Sequence, residues 1–394
     1  MPTIPWLVRS FSVALLLLGC GSAQQRISVD GGGDATNVTG TCGGGAPTWM
    51  KQPQPSPFPA DSTEASVAMA FDPLRGEALL YGVYVGLSII ETETWTFQGT
   101  TANWKARTPV PRPASWPAAH GEGAMAWDPV RRAVVMFGGL ADQGNGFSDE
   151  LWEWDGTSGT WNNLTPEQRP AAWPQGRAAH AMAYDTGRNR LVLYGGWGPL
   201  KYPGYAPDLW EWNSEDRTWI DRTPTTLPVN WPNARQSAAM AYDPSTKRIV
   251  MYGGWDNTPR GDTWEWDGAA GAWTNRTPTT HTQSGPPFGE WLMMFDPCRG
   301  KPTLLGGIGL VQDDIGLGMT PPQAWEWTSA GGSWNSLIPS PLPASWPPVR
   351  DALAAAWDGQ SMRTLVVMGP GRDLTTTNIF PAETWTWGAA LTTR

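Results

Sequence analysis

An internal repeat of about 57 residues constrains the fold of this chain more than any other feature of its sequence. An alternating apolar segment that ends in an aromatic residue and an aspartate occurs six times, and successive aspartates lie 56, 57, 58, 53 and 62 residues apart. The six segments end at Asp72, Asp128, Asp185, Asp243, Asp296 and Asp358. Because these units cover nearly all of the 394 residues after residue 45, the sequence predicts a repeat architecture.

Each unit has the pattern of four short strands. A tight turn follows the aspartate, and a β-branched and aliphatic run then ends in paired glycines in most units, as at Gly195 and Gly196. A third segment carries two aromatic residues two positions apart, such as Trp210 and Trp212, whose side chains share one face of a strand. The fourth segment opens with a tryptophan such as Trp219. The repeat therefore predicts one four-stranded sheet per unit.

The sixth unit lacks its fourth strand, because only seven residues follow Trp387. The missing pattern occurs at the other end of the chain, where residues 48–53 precede the first unit with Trp49 in the expected place. Pairing this strand with the last three would close the ring and leave no radial edge exposed. We therefore expect an all-β, six-bladed β-propeller over residues 46–390, with four-stranded antiparallel blades and a ring closed by the N-terminal strand.

The amino-acid composition supports an all-β fold and argues against one class of partner. The 46 glycines and 38 prolines are too many for long helices, and 27 tryptophans are too many for a disordered chain. The net charge is −9 and no cluster of Lys and Arg occurs, so nucleic acid is not an expected partner.

The succession of strand, glycine-ended strand, aromatic strand and closing tryptophan resembles the kelch repeat of kelch adaptor domains and of the galactose oxidase central domain. The resemblance covers residues 46 to 388 and implies the propeller fold, but that fold carries many functions. The copper site of galactose oxidase uses two His and two Tyr, whereas the histidines here lie in three different units, at positions 120, 180 and 281. We expect no copper radical oxidase activity, no metal site and no cofactor.

The N-terminus has the pattern of an export signal. Residues 1–19 carry one charge, Arg9, and a short apolar run that is too short to span a bilayer. The run ends at Leu17-Leu18-Gly19-Cys20, which resembles a bacterial lipobox and implies a lipoprotein signal peptide with lipid attachment at Cys20; an ordinary secretory signal is the alternative. Gly21, by the same resemblance, favours the outer membrane of the bacterial cell envelope. Residues 20–45 are rich in Gly, Ser, Gln and Asn and are expected to form a flexible tether.

Two cysteines remain after lipidation, Cys42 and Cys298. Cys42 comes just before the closing strand, and Cys298 lies in the first turn of unit five, on the face where that strand begins. Since export permits disulfides, we predict that these two cysteines pair.

Candidate ligand-binding residues lie where the variable loops gather. The long loops between second and third strands share one face of a propeller, and variable loops on a rigid scaffold commonly carry function. Two tryptophans outside the repeated pattern, Trp197 and Trp255, directly follow paired glycines there and are candidate ligand platforms. Eight residues before each repeat aspartate, the predicted mouth of the central channel carries Glu64, His120, Arg177, Arg235, Phe288 and Arg350.

Three arginines at this mouth would favour carboxylate or phosphate ligands. The alternative is that the arginines belong to the repeat itself and pair with acidic loop residues. Our first hypothesis is a membrane-anchored exported binding module that recognises a protein segment or a glycan on the loop face. The second is a carbohydrate-active enzyme, because the architecture resembles kelch-type sialic acid mutarotases; Glu64 and His120 are then the acid and base candidates. The third is a structural envelope protein, which a mouth with every arginine in an ion pair would favour.

Overall fold

The computed structural model describes most of the repeat region and little before it. The described residues are 42, 46–53, 64–85, 90–118, 120–141, 146–199, 204–278, 285–287, 291–306, 310–313, 316–319, 322–348, 352–369, 371–372, 379–380 and 382–389. Their regular structure is all β, and within these ranges no helix is long and apolar enough to cross a membrane. The predicted signal peptide, Cys20 and all of the tether except Cys42 lie outside the described residues.

The described strands form six four-stranded antiparallel sheets, which confirms the predicted propeller. The first strand and blade one are β1 (Pro47–Lys51), β2 (Glu64–Asp72), β3 (Glu77–Val85), β4 (Ile90–Gln98) and β5 (Asn103–Ala106). Blades two and three contain β6 (His120–Gly121), β7 (Ala124–Asp128), β8 (Ala133–Phe137), β9 (Leu140–Ala141), β10 (Leu151–Asp155), β11 (Thr160–Asn163), β12 (Ala181–Asp185), β13 (Arg190–Tyr194), β14 (Leu209–Asn213) and β15 (Thr218–Asp221).

Blade four contains β16 (Ala239–Asp243), β17 (Arg248–Tyr252), β18 (Thr263–Asp267) and β19 (Ala272–Asn275). Blades five and six contain β20 (Trp291–Asp296), β21 (Lys301–Gly306), β22 (Leu310–Asp313), β23 (Gly316–Met319), β24 (Gln323–Thr328), β25 (Ser333–Ser336), β26 (Ala352–Asp358), β27 (Arg363–Met368), β28 (Gly371–Arg372), β29 (Ile379–Phe380) and β30 (Glu383–Ala389). The short pairs β6–β9, β22–β23 and β28–β29 extend the loops of blades two, five and six.

The innermost strands close a ring, because β2, β7, β12, β16, β20 and β26 each contact the next and β26 contacts β2. The N-terminal strand completes blade six: β1 pairs antiparallel with β30, and Trp49 lies opposite Trp387. This confirms the closure predicted from the fourth-strand pattern at residues 48–53. The radial edge of the last blade is therefore covered by the start of the chain.

The repeated tryptophans form the packing between strands and blades. In blade three, Trp212 and Trp219 lie directly opposite each other on β14 and β15, with ring centroids 5.5 Å apart, and each is at most 3% exposed. Trp173, from the loop that enters the blade, meets both rings edge-on. Such edge-to-face contacts add to the free energy that burial of large aromatic surfaces contributes.

The paired glycines at the end of β13 hold blades three and four together. Gly195 and Gly196 have φ of +73° and +96°, and a Cβ on Gly195 would lie 2.4 Å from the backbone oxygen of Arg235. The amide of Gly196 donates to that same oxygen at 2.8 Å. Positive φ and close backbone approach, both expected from the sequence, explain why larger residues do not fit here.

The disulfide lies on the face opposite the long loops. We call this the turn face; it carries the tight turns that follow the repeat aspartates. Cys298 lies in one such turn, and the structure joins it to Cys42 with their Cα atoms 5.3 Å apart. The bond links the residues that precede the closing strand to blade five.

Candidate ligand-binding face

The loop face is the side on which the chain leaves the second strands, at Leu140, Trp197 and Trp255 in blades two to four. Two of the predicted ring arginines lie just beneath this face. Arg177 comes four residues before β12 and is fully buried. Its Nη1 and Nη2 atoms donate to the two carboxylate oxygens of Asp208 at 2.6 and 2.8 Å, and Nη1 also donates to the backbone oxygen of Gly195.

Arg235 repeats this arrangement one blade later. It is 1% exposed, and its Nη1 and Nη2 atoms donate to the two carboxylate oxygens of Asp262 at 2.5 and 2.8 Å. Nη1 also donates to the backbone oxygen of Gly253 at 2.9 Å. Its Nε donates to the backbone oxygen of Asn233. Each guanidinium thus reaches from the entrance of an innermost strand, past the end of the second strand, to the residue just before the third.

Arg177 and Arg235 thus follow the alternative set out above, in which the arginines pair with acidic loop residues. A bidentate pair with a carboxylate uses the geometry that would otherwise recognise an acidic ligand. Burial alone would raise the pKa of Asp208 and Asp262, but the adjacent arginines outweigh it and lower both pKa values. Both pairs are therefore charged, and they serve to hold the loop before the third strand in place.

The other four ring positions are described in part or not at all. Arg350 and Phe288 lie outside the described residues. Glu64 begins β2 opposite Val85, and His120 lies in β6 opposite Ala141, so backbone pairing places both on the loop side of their blades. Binding by Glu64, His120, Arg177, Arg235 and Arg350 remains a prediction.

Trp197 is half-buried and lies between two loops. Its backbone bridges Ala178 on one side and Tyr205 on the other. Its indole meets the ring of Phe147, from the preceding blade, edge-on at 4.7 Å and donates from Nε1 to a carboxylate oxygen of Glu122 at 3.2 Å. The indole is thus held in one orientation while part of its surface faces solvent.

Trp255 occupies the same place in blade four. It is also half-buried, and its backbone bridges Gln236 and Pro259. No described residue accepts a hydrogen bond from its indole nitrogen. In blade two the equivalent residue is Leu140, which is half-buried as well. The structure therefore places three apolar side chains, Leu140, Trp197 and Trp255, at matching positions of three consecutive blades; we call them the apolar row.

Sequence reasoning missed a chain of hydrogen bonds around the channel mouth. The amide of Ser237 donates to the backbone oxygen of Ala179, and the amide of Ala179 donates to that of Glu122. The amide of Glu122 donates to the hydroxyl of Ser66. Glu122, Ala179 and Ser237 all have positive φ, between 51° and 59°. All four residues lie six positions before a repeat aspartate, and that periodicity is the signal that could have identified them.

The described part of the loop face offers little for acid–base or metal chemistry. His180 is 1% exposed, and burial, assisted by the charge of Arg177, holds its pKa well below the ordinary value. Over the described ranges no group of three His, Cys, Asp or Glu side chains comes close enough to hold a metal ion. The described part of this face includes half-buried apolar and aromatic surface above two neutralised ion pairs.

Comparisons with known proteins agree with the architecture. The sequence profile of the KLHDC2/KLHL20/DRC7 Kelch-repeats domain matches residues 75–295, which is more than half of the chain. The Homo sapiens protein "Multiple epidermal growth factor-like domains protein 8" is 28% identical over 167 residues, covering 41% of this chain and 5% of that protein. "Mei4-dependent protein 6" of Schizosaccharomyces pombe is 26% identical over 149 residues, covering 35% of this chain and 20% of that protein.

The chain thus spans a small part of the length of these curated relatives. Among solved structures, "Structure of YjhT" superposes with a TM-score of 0.50 over 84% of this chain and 95% of that chain. At 11% sequence identity, this likeness concerns the fold.

Proposed function

This chain belongs to the KLHDC2/KLHL20/DRC7 Kelch-repeats domain family, and on that premise we propose that it is a non-catalytic module that binds a segment of a partner protein on its loop face. Kelch propellers generally bind protein partners. The observation that carries the proposal is the apolar row, in which Leu140, Trp197 and Trp255 stand half-buried at matching positions of three consecutive blades.

The side chains of the apolar row indicate which kind of partner segment would bind. Tryptophan supplies large contact area with few torsions to immobilise, and it is enriched among residues that dominate protein interfaces. The arginines beneath the row are already paired with Asp208 and Asp262, so they add rigidity without adding free positive charge. The expected ligand is therefore a segment with apolar side chains rather than an acidic peptide. A glycan stacked on the indoles is the competing ligand that the experiment must separate.

The position of the disulfide supports a proposal for orientation. We propose that the protein is exported, lipid-anchored through Cys20 and held at the bacterial cell envelope, with the outer membrane favoured. Cys42 is fixed to Cys298 on the turn face, so a tether held at Cys42 would approach the propeller from the side opposite the apolar row. This arrangement would direct the loop face away from the membrane.

The binding proposal is tested by comparing matched variants for capture of partners from envelope extract. The test variant carries Trp197→Ala and Trp255→Ala, and the control carries Leu74→Ala, which removes a 47% exposed leucine on the turn face. We expect a protein that is retained by the wild type and by the control and lost with the double variant. Equal capture by all three proteins would overturn the proposal. Loss of binding to immobilised oligosaccharides, with unchanged protein capture, would favour the glycan.

The anchor is tested separately, by replacing Cys20 with Ala. We expect the wild type in the membrane fraction with a diacylglyceryl-modified Cys20 in its mass spectrum, and the variant in the soluble fraction. Membrane association that survives the substitution would show that Cys20 is not the anchor.

A further inference from the structure

A cleft of 280 Å³ opens on the turn face where blades five and six meet. We call it the seam cleft. It lies beside the disulfide, between the ends of β1 and β30 on one side and the turn of blade five on the other. Its lining residues are Pro47, Asp296, Cys298, Arg299, Lys301, Glu326, Trp357, Met362, Gly388 and Ala389.

At two other blade junctions, a serine of the turn that joins the third strand to the fourth covers this place. The first residue after β14 is Ser214, and its hydroxyl donates to the Oδ2 atom of Asp128 in the preceding blade. Ser329 stands in the same place after β24, and its hydroxyl faces Oδ2 of Asp243 at 3.5 Å. A serine hydroxyl from the next blade thus covers the repeat aspartate at these two junctions.

Blade six cannot form this turn, because its fourth strand comes from the other end of the chain. The residue that matches Ser214 and Ser329 in register is Ala389, which continues β30 and pairs with Pro47. Ala389 has no hydroxyl to offer the preceding aspartate, Asp296. The seam cleft occupies the space between these two residues.

Asp296 is left with one oxygen that no described residue satisfies. It is 2% exposed, and its Oδ1 accepts the amides of Cys298 and Arg299 at 2.9 and 3.1 Å. In blades one and three the second oxygen is bound by the arginine three residues later, as Arg188 binds Asp185 at 2.6 Å. Here Arg299 turns instead to Glu326, to which Nε donates at 2.8 Å. Burial raises the pKa of Asp296 to about 6, although its two amide donors and the charge of Arg299 act in the opposite direction.

The lining determines what kind of molecule fits. Arg299 and Lys301 both bind Glu326, so the three side chains leave one positive charge that balances Asp296. A free anion would face the Asp296 carboxylate, and a divalent cation would find only one carboxylate not already bound by a cation. A neutral hydroxyl group both donates and accepts. It therefore matches an acceptor on Asp296 and the remaining donors of Lys301.

We propose that the seam cleft binds a small neutral polyol, with one ligand hydroxyl donating to Oδ2 of Asp296 in place of the serine hydroxyl found at two other junctions. The Met362 and Trp357 side chains supply apolar wall for the ligand's C–H face. This site is independent of the apolar row, which lies on the opposite face of the propeller.

Saturation-transfer NMR with glycerol, D-glucose and myo-inositol tests the proposal on the full chain carrying Cys20→Ser. We expect transfer to at least one of the three polyols. Asp296→Asn should weaken that binding roughly tenfold or more, because a hydrogen bond to a charged acceptor is lost. Ala389→Ser should abolish it, since the new hydroxyl takes the place of the ligand's hydroxyl.

Two controls separate this site from general damage and from the loop face. Ser214→Ala changes the matching residue of blade three, and the Trp197→Ala, Trp255→Ala double variant removes the apolar row; both should leave polyol binding unchanged. Tryptophan fluorescence establishes that each variant is folded. Transfer to none of the three polyols, or transfer that survives both Asp296→Asn and Ala389→Ser, would overturn the proposal.

Discussion

Arg235 and Asp262 form a bidentate ion pair in which Nη1 donates to Oδ1 at 2.5 Å and Nη2 donates to Oδ2 at 2.8 Å, with the arginine 1% exposed. Asp262 is further oriented by the indole of Trp264, which donates to it at 2.6 Å. Arg177, Asp208 and Trp210 repeat the same three-residue arrangement one blade earlier. The loop before the third strand is thus attached to the innermost strand of its own blade.

Replacing Arg235 with Met should destabilise the protein by up to about 3 kcal/mol, because Asp262, whose side chain is 23% exposed, is left without its cation. The matched control is Arg169→Met. Arg169 pairs with Asp149 at 2.8 Å, but both side chains are about one-third exposed, so its loss should cost at most about 1 kcal/mol. Urea unfolding followed by tryptophan fluorescence measures both. Equal losses would show that burial does not determine the strength of the Arg235 pair.

Asp296→Asn should stabilise the protein at neutral pH, and the gain should vanish near pH 4. The pKa of Asp296 is raised from 3.8 to about 6 in the folded protein. The folded protein therefore has its full stability below the unfolded pKa, where this carboxyl is protonated, and loses stability as the pH rises through 6 and the buried group becomes charged. The variant removes the loss of stability caused by the charged carboxylate, which is at most about 3 kcal/mol for this buried group. Unfolding midpoints at several pH values measure it.

Asp262→Asn serves as a control, because the stability contributed by Asp262 changes with pH in the opposite direction. Its pKa is lowered in the folded protein, so its contribution to stability is present above the unfolded pKa of 3.8 and is lost as pH falls through the folded value. The variant should be destabilised at neutral pH and approach the wild type in acid. The same trend in both variants would contradict the two opposite pKa shifts.

Replacing Cys42 or Cys298 with Ser should lower the thermal midpoint, with a loss of about 2–5 kcal/mol, since the bond joins positions 256 residues apart. The two single variants and the double variant should lose equal amounts, because each removes the same bond. Reductant should lower the midpoint of the wild type and leave the double variant unchanged. Two alkylatable thiols in the unreduced wild type would show that the bond does not form.

Trp255→Ala and Trp266→Ala should differ sharply in their cost. Trp266 is 1% exposed, and its ring centroid lies 5.4 Å from that of Trp273. Its truncation therefore leaves a cavity and should lower the free energy of unfolding by about 3–5 kcal/mol. Trp255 is half-buried on the loop face, and its truncation should cost clearly less while removing part of the apolar row. Urea unfolding compares the two. A Trp255→Ala loss as large as that of Trp266→Ala would assign Trp255 to the core.

The architecture was accessible from the sequence because each strand carries its own local signature, repeated six times. The aspartate turns, the paired glycines and the alternating tryptophans depend on backbone conformation and on which face of a strand a side chain occupies. The role of Trp49 as a displaced fourth-strand residue followed from the same pattern. The pairing of Cys42 with Cys298 followed from placing both on the turn face.

The candidate sites were only partly accessible, because they depend on which side chains meet across loops. The pattern located Trp197 and Trp255, yet the edge-on contact of Trp197 with Phe147 joins two blades and has no counterpart at Leu140 or Trp255 among the described residues. The seam cleft was not predicted at all. It arises because ring closure puts Ala389 where serines stand in two other blades.

The sequence by itself determined the number of blades, the order of their strands and the way the ring closes, since local periodicity and a displaced strand suffice for these. Only the tertiary structure decided whether Arg177 and Arg235 were free or paired. Their partners lie 31 and 27 residues away, in loops of variable length. Whether a buried guanidinium meets a carboxylate or a ligand depends on how those loops fold back over the blade, and that geometry is set by packing rather than by sequence spacing.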